Sequence, residues 1–211
     1  MAHRNQKCTQ LETIQGVVKI CSFFDPAKMA SLSLPNTFTD YARYSPIISH
    51  KKSLVEAAAR PDANVTLATT GDGHIIGFAI LQYPNADERW TRVGKQIMME
   101  LSVVEVSRAL RSHGIATKLL DLALDHPLIE DRIFYMVGYS WTWDLDDYAL
   151  PVMEYRNMMV RLFSRYGFSI YQTNEPNILL RPENLFMARL GSNLSQEIQQ
   201  RFKWVLFNLD L

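Results

Sequence analysis

The chain is short of cysteine, of net charge and of long apolar runs, and each shortage excludes something. Cys8 and Cys21 are its only cysteines in 211 residues and form no CxxC pair. That excludes a disulfide-stapled miniprotein and reads as a reducing, cytoplasmic compartment. Twenty-two basic residues balance twenty-two acidic ones, so no whole-molecule field draws the chain to nucleic acid or an anionic membrane. No run of about 18 apolar residues occurs, which argues against a transmembrane helix. The first residues carry charge with no apolar core behind them, unlike a secretory signal. The five histidines are scattered and make no metal-ligand pattern, so no metal is expected. Internal repeats, low-complexity tracts and Gly/Ser linkers are missing too. What is present is ordinary for a globular chain, with 47% apolar and 21% charged residues. The length suits one domain, 1–211, divided into an N-terminal strand and two helices over 1–60, a core over 61–190 and a C-terminal helix over 191–211.

Local signals give the element order. Residues 13–24 mix β-branched and aromatic residues and read as a first strand. Asp25-Pro26 reads as an N-cap with proline in the first turn. Ser45-Pro46 repeats that signal before a second helix that Pro61 closes. A strand over 64–70, a tight turn at Gly71-Asp72-Gly73 and a returning strand over 74–83 follow. Residues 97–106 read as strand, 114–124 as helix, 132–141 as strand, and 149–165 as a helix ended by Gly167. Short strands near 168–173 and 185–190 and a helix over 195–207 complete a mixed α/β sheet.

The most informative segment joins the strand at 97–106 to the helix at 114–124. Arg111-Ser-His-Gly114-Ile-Ala116-Thr117 opens that helix after a short loop. A helix N-terminus offers unpaired N–H groups and a positive dipole end. A diphosphate fits there if the backbone can be approached. Gly114 and Ala116 carry too little side chain to block it, Arg111 adds charge and Thr117 a hydroxyl. The pattern is neither a Walker loop nor the three-glycine dinucleotide fingerprint. A capped helix with a small packing face would use the same residues.

Placed after the fourth strand and before a helix, a strand and a helix ending in Tyr166-Gly167-Phe168, the segment resembles the GNAT superfamily of acyl-CoA-dependent N-acetyltransferases. Arg111, Gly114 and Ala116 fill that superfamily's Arg/Gln-x-x-Gly-x-Gly/Ala signature. The resemblance implies a mixed, mostly antiparallel sheet with splayed central strands, flanked by helices. It implies that the pantetheine arm of acetyl-CoA pairs with the fourth strand around Val104 and Val106. It places the diphosphate on Arg111, Ser112, His113, Gly114, Ile115, Ala116 and Thr117. Longer strings resemble the acetoin-utilisation acetyltransferases of bacteria, the AcuA type. These are Glu88-Arg89-Trp90, Glu100-Leu101, Tyr139-Ser-Trp141-Thr-Trp143-Asp144-Leu145, Glu154-Tyr155-Arg156, Asn174-Glu175-Pro176 and Met187-Ala-Arg-Leu-Gly191. That family acetylates a lysine of acetyl-CoA synthetase and switches the enzyme off, so the resemblance implies this protein as partner.

Acetyl transfer to a lysine needs the amine neutral, hence a base or a water relay. Glu100 stands eleven residues before Arg111, where many GNAT members place the base. Glu105 stands six before it, five from Glu100, so the two face opposite sides of an unbroken strand; a bulge would change that. Glu105 reads first as orienting the loop or pairing with an arginine, and second as an alternative base. The superfamily's usual tyrosine acid falls on Phe163, and its usual helix asparagine on Arg156. Tyr155 and Tyr139 are candidate substitutes. Trp141, Trp143, Asp144 and Asp146 would suit a lysine stem and its ammonium. Trp90 belongs either to a partner surface or to a buried anchor. Two other functions compete: a small-amine N-acetyltransferase, and a weakly catalytic acyl-CoA-binding regulator held in a stable complex with acetyl-CoA synthetase.

Overall fold

The structure is a computed structural model and describes residues 5–38, 48 and 50–209. They form two compact units, residues 1–82 with 101–126 and residues 83–100 with 127–211.

In the first unit, β1 (Cys8–Thr13) and β2 (Gly16–Cys21) form a hairpin. The expected single strand over 13–24 is therefore two strands. Gly16 turns the chain with φ 102°, and the Thr13 hydroxyl donates to the Gly16 carbonyl at 2.8 Å. The hairpin makes Cys8 and Cys21 direct cross-strand partners, and they are bonded as a disulfide. From sequence alone the two cysteines look isolated, because β1 is not anticipated there. The expected helix follows as α1 (Pro26–Ala30), where Asp25 accepts from the Ala27 and Lys28 backbone N–H groups. The Ser45-Pro46 signal lies outside the described residues; α2 (Lys51–Ala59) ends before Pro61.

Next come β3 (Asn64–Thr70), β4 (Ile75–Gln82), the long strand β5 (Met98–Val106) and α3 (Ile115–Leu124). Strand order in this unit is β1-β2-β3-β4-β5, antiparallel from β1 to β4. β3 is buried along almost its whole length because both faces are covered. Val65 and Leu67 join Phe78, Ile80, Val103, Met29 and Leu54 in a core beneath α1 and α2. Asn64, on the other face, donates its amide to the Ala123 carbonyl at the end of α3. Gly77 lets the strands and α3 close up. A Cβ there would meet the Glu105 carbonyl at 3.0 Å and Leu119 at 3.2 Å.

The second unit holds the start of β5 and then β6 (Ile133–Gly138), α4 (Leu145–Tyr148), α5 (Val152–Ser164), β7 (Ser169–Ile170), α6 (Pro176–Leu179), β8 (Leu185–Leu190) and α7 (Gln196–Leu206). Its strand order is β5-β6-β8-β7. β5 and β6 run parallel for three pairs, Met98↔Ile133, Met99↔Phe134 and Glu100↔Tyr135. The ladder stops there, although β5 continues to Val106 and β6 to Gly138. On one face Met98, Ile133, Tyr135, Phe186 and Ala188 pack against Phe202, Val205 and Leu206 of α7 and against Trp90 and Val93 of a 3-10 turn, Arg89–Val93. The Arg-Leu-Gly end of β8 is fixed by Glu130, which pairs with Arg189 and accepts from the Ser192 N–H. Gly191 lies so close to the Glu130 backbone that a Cβ would meet its carbonyl oxygen at 2.3 Å. None of the helices among the described residues is long and apolar enough to cross a membrane.

Candidate active site

The loop and helix start expected to cradle a diphosphate lie in the first unit. β5 ends at Val106, and the Ser107 N–H donates to the Ile76 carbonyl at 2.9 Å, tying the loop to β4. Arg111 then folds back: its Nε donates to the Val106 carbonyl at 3.0 Å and its Nη2 to Glu105 Oε1 at 3.0 Å. Both side chains of this pair are about nine-tenths covered, at 9% and 11% exposure. Burial along β5 alternates through Val104 and then breaks, with Glu105 half-buried and Val106 buried. Glu105 thus braces the loop through Arg111.

Beyond Arg111 the backbone enters the left-handed region twice, at Ser112 (φ 64°) and Gly114 (φ 79°). Gly114 is the N-cap of α3, and no side chain caps that helix. A Cβ at Gly114 would meet nothing within 4 Å. An uncapped N-terminus with open space at its cap fits a diphosphate, because the first-turn N–H groups have no helical partners. The His113 ring pairs through Nδ1 with the Arg111 carbonyl at 2.8 Å. Ile115 is buried beneath the helix, while Ala116 and Thr117 stay half-covered on its first turn. Val104, half-buried, and Val106, buried, lie on the strand that leads in.

The second unit gathers a different set around Glu100. In a parallel ladder paired residues point to the same face, so Glu100 shares its face with its partner Tyr135. That face packs against the 3-10 turn and α7. Burial, reinforced by the negative charge of Glu88, raises the Glu100 carboxyl from 4.5 to about 7. Glu88 stands just before the turn. Its Oε1 accepts from the Asn85 backbone and side-chain N–H groups, each at 2.9 Å, and its Oε2 from the Tyr135 hydroxyl at 3.5 Å. Tyr135 is held neutral, far above the ordinary phenol range, by burial and by Glu100 and Glu88. Tyr139, past the end of β6, is pushed up to about 12 by burial and then by Glu175, Glu100 and Glu88. Arg89 is drawn to Asn174, donating to its Oδ1 at 2.6 Å, and also lies 5.3 Å from the centroid of the Trp90 ring. Asn174 donates in turn to the Phe207 carbonyl at 2.6 Å, and Glu175 caps α6.

Three of the strings singled out in the sequence therefore meet at one carboxylate. Sequence reasoning picked Glu100 but gave Glu88, Tyr135 and Glu175 no chemical task. The available signal was that Glu88 and Glu175 stand in strings of the same family resemblance as Glu100. Of the residues expected to face a partner, Trp141 is half-exposed (50%) and stacks on Tyr139 at 4.7 Å, with the Arg181 guanidinium 5.4 Å from its ring. Asp146 is exposed on α4. Trp143 and Asp144 are buried at 7% and 2% exposure, and Trp143 stacks on Tyr155 at 5.2 Å. Trp90 is the buried anchor, packed at a tilt against the stacked rings of Tyr135 and Phe186. Phe163 is buried against Phe168. On α5, the Nε of Arg156 is buried with no hydrogen-bond partner.

A strand leading into an uncapped, glycine-opened helix suits a phosphate-bearing acyl carrier, and a half-buried carboxylate poised near neutrality suits taking a proton from an amine. The acetyltransferase (GNAT) family model matches residues 29–168, and the chain belongs to that family. It is an acetyl-CoA-dependent N-acetyltransferase. Within the family it is similar to the acetoin utilization protein AcuA of Bacillus licheniformis, at 30% identity covering 98% of this chain and 96% of that one. The AcuA protein of Bacillus subtilis is 28% identical, over 97% and 96% of the two chains. The crystal structure of an acetoin utilization protein from Exiguobacterium sibiricum superposes with a TM-score of 0.87 at 27% identity, covering 97% and 95%.

Proposed function

We propose that this acetyltransferase modifies a lysine side chain of acetyl-CoA synthetase and thereby turns that enzyme off, within acetoin and acetate metabolism in the cytoplasm. The observation that carries the chemistry is Glu100, a half-buried carboxylate whose proton affinity lies near 7. A base matched to neutral pH is the most effective one for taking a proton from an ammonium group. The acceptor class rests on the resemblance to the acetoin-utilisation proteins.

In this reading Glu100 takes the proton from the lysine nitrogen, directly or through water, as that nitrogen forms its bond to the acetyl carbon. The carbon–sulfur bond breaks, and the electron pair leaves on the coenzyme A sulfur, which then takes a proton. Backbone N–H groups of β5 around Val104 and Val106 hold the pantetheine arm and polarise the carbonyl. The α3 N-terminus at 111–117 holds the diphosphate. Phe163 has no hydroxyl to give, so the proton for the sulfur comes from water or from Tyr155. Trp141 and Asp146 offer an aromatic and acidic surface to a lysine-bearing segment.

The missing hydroxyl at Phe163 also favours a second reading, an acyl-CoA-binding regulator with little turnover. Offering the protein acetyl-CoA with acetyl-CoA synthetase, and separately with free primary amines, decides the matter. The proposal expects one acetyl group to appear on a synthetase lysine, with loss of synthetase activity. Acetylation confined to free amines, or a stable complex without acetylation, would overturn it.

A further inference from the structure

The Glu88 carboxylate is placed with more care than a surface glutamate requires. Two donors from Asn85 converge on one of its oxygens, and the Tyr135 hydroxyl reaches the other. A carboxylate surrounded by donors is served in its ionised form, which only accepts. Tyr135 is also the ladder partner of Glu100. One buried tyrosine thus stands beside both carboxylates. Trp90, two residues beyond Glu88, packs at a tilt on the same tyrosine ring, 5.7 Å between centroids, and anchors the turn in the core.

We propose that Glu88 is a positioning residue for acetyl transfer: a carboxylate anchored by Asn85 and Tyr135 whose negative charge acts on the base Glu100 across their shared tyrosine. The inference rests on the reading of Glu100 as base. Burial alone holds a proton on Glu100, and a fixed like charge holds it more tightly. The effect is a stronger base at neutral pH, gained at the cost of fewer ionised molecules in mild acid. Glu88 is the charge that acts on Glu100; Tyr135 on β6 feels both carboxylates, and Tyr139 past its end feels both together with Glu175 and Arg89. Phe202, Val205 and Leu206 of α7, packed on the same face, are apolar.

The test is the pH profile of kcat/KM for Glu88→Gln, divided by that of the wild type so that titration of the acceptor amine cancels. Removing the charge should lower the acid limb by roughly half to one pH unit. From a starting point of about 7, the variant should be about three- to fivefold faster than wild type at pH 6 and no faster at pH 8.5. Glu88→Asp keeps the charge and should restore the wild-type limb. Asn85→Ala, at an exposed position, removes one anchor and should move the limb in the same direction by a smaller step. A ratio that is uniformly below one at every pH, or an unmoved limb in both Glu88→Gln and Asn85→Ala, overturns the inference. Should Glu88→Gln fail to fold, the Asn85→Ala limb decides. Glu100→Gln in the same assay separates the layers. If that variant keeps full activity, the base assignment fails; if it is inactive while Glu88→Gln shifts nothing, only the role of Glu88 fails.

Discussion

Glu100 should weaken the fold at the pH where it works, and Glu100→Gln should reveal how much. In the folded protein the carboxyl holds its proton to about pH 7, against 4.5 when free. Between those values the native state binds more protons than the unfolded chain, so stability falls as pH rises through the window. Below it both states are protonated and the group contributes nothing; above it the full cost of an ionised, half-buried carboxylate is present. A gap of that width corresponds to about 3 kcal/mol. Glutamine resembles the protonated acid in shape and does not titrate. Relative to wild type, the variant should therefore gain stability steadily from pH 4.5 to pH 8 and then level off. For a chain of this size that gain is a rise in melting midpoint of roughly 6–12 °C. Melting curves of both proteins at half-unit pH steps, without acetyl-CoA, supply the comparison. Parallel curves across pH 5–8.5 would show that Glu100 is not held protonated by its surroundings, and the argument for a poised base would collapse.

Gly114→Glu meets open space but sits at φ 79°, so it should cost about 1–2 kcal/mol of stability without unfolding the chain, and it should abolish the acetyl-CoA-induced rise in melting midpoint expected of wild type, because the new carboxylate repels the diphosphate. Arg111→Ala should lower stability, because it removes a largely covered ion pair with Glu105, and should weaken acetyl-CoA binding by releasing the loop; calorimetry reads both. Joint replacement of Cys8 and Cys21 by serine should lower stability by roughly 3 kcal/mol, the value for a cross-link closing a short loop, with acetylation retained. Thiol labelling of the unfolded, unreduced wild type should find both cysteines protected.

Much of the fold was legible because its signals are local. Asp25-Pro26 starts α1, Gly71-Asp72-Gly73 links β3 to β4, and apolar spacing from Ile115 to Leu124 marks α3. The β1–β2 hairpin was not, because its turn, Ile14-Gln15, carries no strong turn dipeptide and only Gly16 marks it. Missing β1 hid the partnership of Cys8 with Cys21. The strand–loop–helix geometry around Arg111 and Gly114 was readable because it is contiguous in sequence. The surroundings of Glu100 were not, since Glu88 and the Tyr135–Tyr139 stretch are brought to it only by folding. Burial also divided the aromatic-acidic string in a way composition could not show, leaving Trp141 outside and Trp143 with Asp144 inside.

Glu100 is proposed as the base for acetyl transfer from acetyl-CoA to a lysine of acetyl-CoA synthetase. A time course of intact mass, following the synthetase with acetyl-CoA and either wild type or Glu100→Gln, tests it most directly. Wild type should add one acetyl group. The variant, binding acetyl-CoA with unchanged affinity, should do so about 100- to 10,000-fold more slowly. Equal rates for the two proteins, or no acetyl group on the synthetase with wild type, would contradict the account.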